Sequence, residues 1–319
     1  MSKQWIRECH LIVVDKDGEK VNLSDLKITF NISRTESSNP ATGIFTLYNL
    51  NNETSNKLRK NEFKKIKFVA GYKENSGQIF SGQIQYTYVK RDNATDTCVV
   101  IHAADGDEAH NYATVNTTIA AGYSQADLDH LLMRDIAKYG ITAGLRPEFS
   151  KSASPRGKVL FGMHRNEVSN LAKQCDANWR YEDNKLHIVP KNKYLTEAIV
   201  LTSKTGLIGM PEQTIGSGIN VTCLINPNIR PGTLIRLDNR SIKPVDPATK
   251  QAAQSGDHKK DAKNQPAMLD ADGDYIVFNV DYSGDTRETE WYMTIMCIAK
   301  SDHTLLNQST HHKDKAESE

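Results

Sequence analysis

The sequence predicts a mainly β protein with a small α+β insert. Most segments of the first hundred residues and of the last third alternate apolar and polar residues, which is the period of half-buried strands. Turn signals such as Asn39–Pro40 and Asp92–Asn93 separate these segments. Between about residues 106 and 195, apolar residues recur instead at the spacing of a helix face.

The first third of the chain consists of predicted strands. In LKITFNI, the side chains of Leu26, Ile28, Phe30 and Ile32 alternate with polar ones. The other strand segments are CHLIVVD, GIFTLYNL, KKIKFVAGY, GQIFSGQIQYTYVK and TCVVIHAA. NNETSNKLRKNEF favours a short helix or a long turn. Strands at this spacing indicate a first β-barrel or sandwich domain over residues 1–105.

The middle region, residues 106–195, is predicted to be a small α+β accessory domain. SQADLDHLLMRDIAKYG predicts a helix that is capped by Ser124 and Asp127 and stopped by Gly140. NEVSNLAKQCD predicts a second helix, and NWRYEDNKLHIVP predicts a hairpin that turns at residues 183–184.

Strands resume in the last third and predict a second barrel over residues 196–302. The segments are EAIVLTS, INVTCLINP, GTLIRLDN, DYIVFNVDYSG and EWYMTIMCIAK. Residues 240–271 contain no aromatic side chain and few large apolar ones, so we expect a long mobile loop between paired strands. Residues 303–319 are expected to be a disordered tail.

Composition excludes several functional classes. The formal net charge of +1 over 319 residues argues against a general nucleic-acid binder. No apolar run approaches the length of a membrane span, so no stable membrane insertion is expected. The five cysteines are widely spaced and include no Cys-x-x-Cys pair, which indicates small apolar fillers in a reducing cytoplasm.

The chain offers no convincing catalytic, cofactor-binding or metal-binding residue, and we expect no enzyme. The acidic run Asp270-Ala-Asp272-Gly-Asp274 fails the EF-hand pattern, because Tyr275 and Asp281 stand where Gly and Glu are required. The Asp-Gly-Asp at 105–107 is interpreted as a tight turn, and no acid is expected in a context that raises its pKa.

Three other polar positions receive structural interpretations. Cys175 has no identifiable base and is assigned to the core, and His187 should face solvent or an interface. Asp285 is expected to accept from Thr286 and to pair with Arg287 at a hairpin turn. Trp291 is expected to anchor the final strand in the core or at an interface.

The segment GLIGMPEQT, residues 206–214, is unusual because it is rich in loop residues and yet apolar. Pro211 cannot donate a ladder hydrogen bond, so a central strand is not expected. We predict that Leu207, Ile208 and Met210 pack against the accessory domain or a neighbouring subunit as the chain enters the second barrel.

Several segments together resemble the baseplate hub (tail hub) proteins of contractile-tailed bacteriophages. These are ATGIFTLYNLN, FVAGY, IFSGQI, IHAADGDEA, TGLIGMPEQT, GINVTCLINPNIRPGTLIRLDN and DGDYIVFNVDYSGDTRETEWYMTI. The resemblance extends from about Leu26 to Lys300 and is structural, without catalytic motifs.

The resemblance implies a homotrimer in which each chain carries two tail-tube-like β-barrels. Three chains would present six barrels, adapting a sixfold tail tube to a threefold central spike and lining a channel through which DNA passes without specific binding. Its implied partners are the tail tube protein, the spike and other baseplate proteins. Its implied location is the virion tail, after assembly in the host cytoplasm.

Two other functions remain open at this point. A receptor- or carbohydrate-binding β protein would require a cluster of exposed aromatic side chains, and a cell-wall-degrading tail enzyme would require an acid pair or a metal motif.

Overall fold

The computed structural model describes residues 6–60, 62–93, 95–191, 194, 198–214, 218–238, 240, 242–243 and 273–300. Strands dominate, as predicted. They are β1 (Arg7–Asp15), β2 (Lys20–Asn22), β3 (Ile28–Thr35), β4 (Thr42–Tyr48), β5 (Phe63–Tyr72), β6 (Asn75–Arg91), β7 (Thr97–Ala104), β8 (Thr114–Ile119), β9 (Thr142–Ala143), β10 (Lys158–Met163), β11 (Ala177–Glu182), β12 (Lys185–Pro190), β13 (Ile199–Val200), β14 (Leu207–Gln213), β15 (Ile219–Leu224), β16 (Leu234–Arg236), β17 (Asp274–Asp285) and β18 (Trp291–Ala299).

The helices are α1 (Asn52–Arg59), α2 (Asp107–Tyr112), α3 (Gln125–Ile136) and α4 (His164–Gln174), and a 3₁₀ turn at Ala137–Tyr139 follows α3. The predicted tail 303–319 lies outside the described residues, as does the predicted loop 240–271 apart from residues 240, 242 and 243.

One continuous antiparallel sheet joins the first and last thirds of the chain. Its hydrogen-bonded order is β14-β15-β18-β17-β3-β4-β7-β6-β5-β1-β2. The junction is the pairing of β17 with β3, where Tyr282 lies opposite Ile32. Both thirds also share one apolar core, in which the rings of Phe30 and Trp291 meet edge to face at 5.2 Å. The expectation that Trp291 anchors the final strand is confirmed, since its side chain is 1% exposed.

Two long strands change partners along their length and so bend this sheet around its core. β17 pairs with β16 over Asp274–Ile276 and with β3 from Asn279 onward, on either side of a bulge. β6 pairs with β5 over Asn75–Gln83 and with β7 over Gln83–Arg91. The two halves are therefore fused through hydrogen bonds, and their division into two barrels remains a prediction.

The insert has a second, separate apolar core that runs from Ala109 to Ile188. Helix α3 confirms the predicted helix, because Ser124 and Asp127 form a capping box and Gly140 ends the turn in the left-handed region. Helix α4 begins two residues before the predicted segment. The α2 helix and the two-stranded ribbon of β8 and β10 were not predicted. The bounds 106 and 195 remain a prediction.

The GLIGMPEQT segment forms β14, an edge strand that pairs with β15. A bulge between Ile208 and Glu212 accommodates Pro211, and Gly209 adopts a φ of 69°. Leu207 packs against the core of the main sheet and not against that of the insert, and the alternative contact with a neighbouring subunit remains a prediction. Met210 is 59% exposed.

Candidate functional site

The outer face of the main sheet carries short polar side chains across five neighbouring strands. One row of registered residues runs through β15, β18, β17, β3 and β4 and consists of Thr222, Thr294, Asp281, Ser33 and Thr42. These side chains are exposed or half-buried, whereas the residues next to them in sequence are buried. The result is a hydroxyl-rich surface that extends over strands from both thirds of the chain.

A second row on this face, called the aromatic row, contains Asn31, Ile44, His102 and Tyr86 in register. The rings of Tyr86 and His102 stack at 4.3 Å with an interplanar angle of 15°. Tyr88 stacks on the same histidine at 5.9 Å, and both tyrosines remain about half exposed. Burial lowers the pKa of His102 and so favours its neutral form. Asp281 is therefore the charged side chain in these two rows.

Where the insert meets the main sheet, seven ionisable side chains form a cluster that we call the ionic joint. Its members are Arg34, Glu36, Asp105, Arg180, Glu182, Asp183 and Arg230. The hairpin of β11 and β12 places its tip here because Asp183 and Asn184 adopt φ angles of 53° and 60°. Positive φ at both central residues is the geometry of a type I′ hairpin turn.

Asp105 fixes the tip of this hairpin from the end of β7. Its carboxylate accepts backbone hydrogen bonds from Asp183 at 2.6 Å and from Asn184 at 3.2 Å. Gly106 follows in the left-handed region, as the predicted tight turn requires. The sequence-based expectation about its pKa is wrong, however: Asp105 is fully buried, and this burial raises its pKa to about 6 although the charge of Arg34 opposes the shift.

Arg180 connects the insert to the main sheet directly. Its guanidinium donates to Glu36 at 2.6 Å, to Glu182 at 3.1 Å and to the carbonyl oxygen of Pro231 at 3.1 Å. Burial raises the pKa of Glu36, against the lowering effect of the Arg180 charge. Because Glu36, Arg180 and Pro231 belong to different parts of the chain, this one side chain holds three segments together.

Arg34 and Arg230 bind the acidic tip from two sides. Arg230 donates to Glu182 at 3.0 Å, to Asp183 at 2.8 Å and to the carbonyl oxygen of Gln78 at 3.1 Å. Arg34 donates to Asp183 at 3.1 Å. Burial disfavours the ionised form of Glu182, but the arginines outweigh this and lower its pKa to about 2.

The joint suits mechanical attachment better than catalysis. Each of its carboxylates is held by a guanidinium or by backbone N–H groups, so none is left as a free base or nucleophile. Sequence reasoning missed this cluster. The sequence feature that could have indicated the cluster is Arg34. It occupies an inward-facing position of β3, in line with Ile28, Phe30 and Ile32.

The polar positions singled out in the sequence lie apart from the joint or play different roles. His187 is half-buried and its Nδ1 accepts from the Leu145 amide at 3.1 Å, so it does not simply face solvent. Cys175 is half-buried beside the insert core, and burial raises its thiol pKa. Residues 270–272 of the acidic run lie outside the described part, and Asp274 pairs with Arg236 at 2.7 Å.

Asp285 holds its turn differently from the expectation. Its carboxylate accepts from the backbone amides of Arg287 and Glu288 and forms an ion pair with Lys27 at 3.3 Å. The Arg287 side chain donates instead to the carbonyl oxygen of Asp25.

Within the described residues, no three His, Cys, Asp or Glu side chains are grouped so that they could hold a metal ion. None of the described helices is long and apolar enough to cross a membrane.

The fold is that of known phage tail proteins. A 43 kDa tail protein of prophage MuSo2 from Shewanella oneidensis aligns with a TM-score of 0.55 at 8% identity, covering 92% of this chain and 99% of that one. A tail protein from Neisseria meningitidis MC58 aligns with a TM-score of 0.56 at 7% identity, covering 91% of this chain and 96% of that one.

A third similar structure belongs to a type VI secretion system component of E. coli, which is itself described as similar to the T4 bacteriophage tail proteins gp27 and gp5. The TM-score is 0.50 at 8% identity, and the alignment covers 86% of this chain and 73% of that one. No family model and no curated protein matches the sequence. The similarity to these three structures therefore lies in the fold.

Proposed function

We propose that the chain is a structural baseplate hub protein of a phage tail, acting as a homotrimer that adapts a sixfold tail tube to a threefold spike. The observation that carries the proposal is the pairing of β3 with β17. This pairing makes one sheet from two halves, so each chain would contribute two consecutive sectors to a ring.

The hydroxyl-rich outer face would line the central channel. A basic wall would bind DNA phosphates and release counterions, giving a grip that weakens with salt. Threonine, serine and asparagine instead offer neutral hydrogen-bonding groups with little net attraction for phosphate. In the two rows, Asp281 is the charged group, and the Asn279 amide donates to its carboxylate at 2.6 Å. Such a wall would let DNA slide without specific binding.

The ionic joint would keep the insert fixed to the ring while the tail transmits force. Each buried ion pair fixes the relative orientation of its two side chains. Removing one partner would leave the other charge unpaired where water cannot reach it. The chain would act without catalysis, with the tail tube protein, the spike and other baseplate proteins as partners. It would assemble in the host cytoplasm and remain in the virion.

Light scattering of the purified chain, alone and with the neighbouring tail proteins, tests the proposal. A trimer, or a monomer that trimerises on the spike, is expected. A chain that stays monomeric and binds none of the tail components would contradict the proposal. Particle reconstruction would then place the hydroxyl-rich face inside or outside the ring.

A second candidate function rests on a different observation. The stacked Tyr86, His102 and Tyr88 form an exposed aromatic cluster of the kind that binds sugar rings in receptor- or carbohydrate-binding proteins. Glycan-array binding that disappears in Tyr86→Ala would favour this candidate. Absence of binding, together with trimer formation, would favour the hub.

A further inference from the structure

The ribbon of β8 and β10 leaves an apolar surface uncovered on the insert. The strands alternate, so that Leu160 is buried against the insert core while Val159 and Phe161 point outward. Their side chains are 71% and 78% exposed. Thr118 and Asn116 lie opposite them on β8. We call these four side chains the ribbon face.

Phe161 is exceptional among the phenylalanines of this chain. Five of the others are buried in the main core and two are half-buried. Two neighbouring outward positions of one strand, both large and apolar, create a contiguous patch rather than a scattered surface residue. Patches of this kind commonly mark protein–protein contacts.

The charged residues of β10, and of the segment that leads into it, are all basic. Residues 150–157 and both strands contain Lys151, Arg156 and Lys158 and no acidic residue. Lys158 is held by Glu167 of α4 at 2.7 Å, whereas Lys151 and Arg156 are exposed. The surface is therefore apolar on β10 and cationic where the chain enters this strand.

The backbone of β10 is also available on one side. Within the described chain, β10 pairs with β8 and with no other strand. An edge strand presents a row of N–H and C=O groups that can add another strand. Backbone pairing would bring an added segment alongside Val159 and Phe161.

We propose that the ribbon face is the docking site for an extended segment of a different protein, apolar at alternate positions and acidic at one end. The apolar side chains of the segment would cover Val159 and Phe161, and its acidic end would lie toward Arg156 and Lys151, where the chain enters β10. A second copy of this chain is a poor occupant, because its own ribbon would bring cations together without acidic partners. This inference does not depend on the proposed hub function.

The test uses a short fluorescein-labelled peptide that alternates valine and threonine and carries paired aspartates at one end, and a matched peptide with lysines in place of the aspartates. Fluorescence anisotropy should show saturable binding of the acidic peptide that weakens as salt is raised. Phe161→Ser should weaken binding by about tenfold or more, as expected for an apolar anchor at a contact centre. Tyr112→Ser, which changes another exposed aromatic residue off the ribbon, should leave binding unchanged.

A charge exchange provides a second, independent variant. The double variant Lys151→Glu and Arg156→Glu should lose the acidic peptide and bind the lysine peptide, while Val159 and Phe161 stay in place. All variants change exposed positions, so their melting temperatures should match that of the parent chain.

Several outcomes would overturn the inference. They include no saturable peptide binding, equal binding of both peptides, or no effect of Phe161→Ser. A change in oligomeric mass caused by Phe161→Ser would assign the surface to a second copy instead. Phe161-dependent binding to vesicles of anionic phospholipid, without peptide binding, would assign it to a membrane.

Discussion

Arg180 of β11 and Glu36, one residue beyond β3, form a 2.6 Å ion pair between the insert and the main sheet. The two side chains are 4% and 7% exposed, so neither charge can be satisfied by water when the other is absent. Ion pairs this deeply buried contribute little net stability compared with apolar replacements, but breaking one is costly. We therefore expect the pair to make docking of the insert specific.

Replacing Glu36 by alanine should strongly destabilise the chain. Arg180 would keep Glu182 but lose its closest carboxylate, and its charge would stay buried. We expect a loss of about 3–5 kcal/mol in the free energy of unfolding, measured by urea denaturation. The double variant Glu36→Leu with Arg180→Met should be less destabilised than Glu36→Ala, because no charge is left unpaired.

The exposed pair of Glu53 and Lys57 on α1 supplies the matched control. Glu53→Ala should change the free energy of unfolding by about 0.5 kcal/mol or less. Equal losses in Glu53→Ala and Glu36→Ala would show that burial of the joint has no energetic consequence.

Whether the sequence could predict a contact depends on how many residues separate its partners along the chain. Helix α3 was predictable because its cap joins Ser124 to Asp127, three residues away. The inward and outward positions of β3 were predictable from its alternation. The pair of Arg180 and Glu36 spans 144 residues, and no local pattern reports such a contact.

The pairing of β3 with β17 escaped prediction for the same reason. The sequence of each strand shows only which of its side chains are buried. It does not show which other strand pairs with it. The pKa of Asp105 also depends on distant burial, so its Asp-Gly-Asp sequence indicated a turn and nothing more.

Asp105 should make stability depend on pH in a direction opposite to most acids. Its pKa is about 6 in the folded chain and near the ordinary 3.8 when unfolded. The folded state therefore binds more protons between these values, and the contribution of Asp105 to stability falls as pH rises through that window. Compared with Asp105→Asn, the parent chain should lose about 2 kcal/mol between about pH 4.5 and about pH 7.

Urea denaturation of both proteins at the two pH values measures this difference. Asparagine can accept only one of the two backbone hydrogen bonds, so Asp105→Asn has its own cost, but that cost does not titrate. A difference between the proteins that stays constant with pH would contradict the assigned pKa.

The edge strand β14 provides a comparison of two neighbouring apolar residues. Leu207 packs against the main core, and Leu207→Ser should lower the free energy of unfolding by about 1–2 kcal/mol, since part of its apolar area returns to water. Met210 is 59% exposed, and Met210→Ser should change the free energy of unfolding by about 0.5 kcal/mol or less. Thermal unfolding checks both, and equal effects would show that β14 is not anchored through Leu207.

The hydroxyl-rich face offers a direct test of the proposed channel. Asn31 and Thr294 are exposed on this face, and replacing both by arginine adds two cations without touching the core. Asn52→Arg with Asn56→Arg adds the same charge on the exposed side of α1 and serves as the control. Each DNA phosphate that a new arginine neutralises should steepen the salt dependence of DNA binding by about 0.9 in a log–log plot.

The shape of the DNA then distinguishes a channel from an outer surface. A closed ring admits a linear duplex through its free end but cannot admit a covalently closed circle. In a filter-binding assay, the trimeric Asn31→Arg/Thr294→Arg variant should therefore bind short linear duplexes but not closed circular DNA. The α1 control should bind linear and circular DNA with equal affinity. Equal binding of linear and circular DNA by the face variant would place this sheet face on the outside of the assembly.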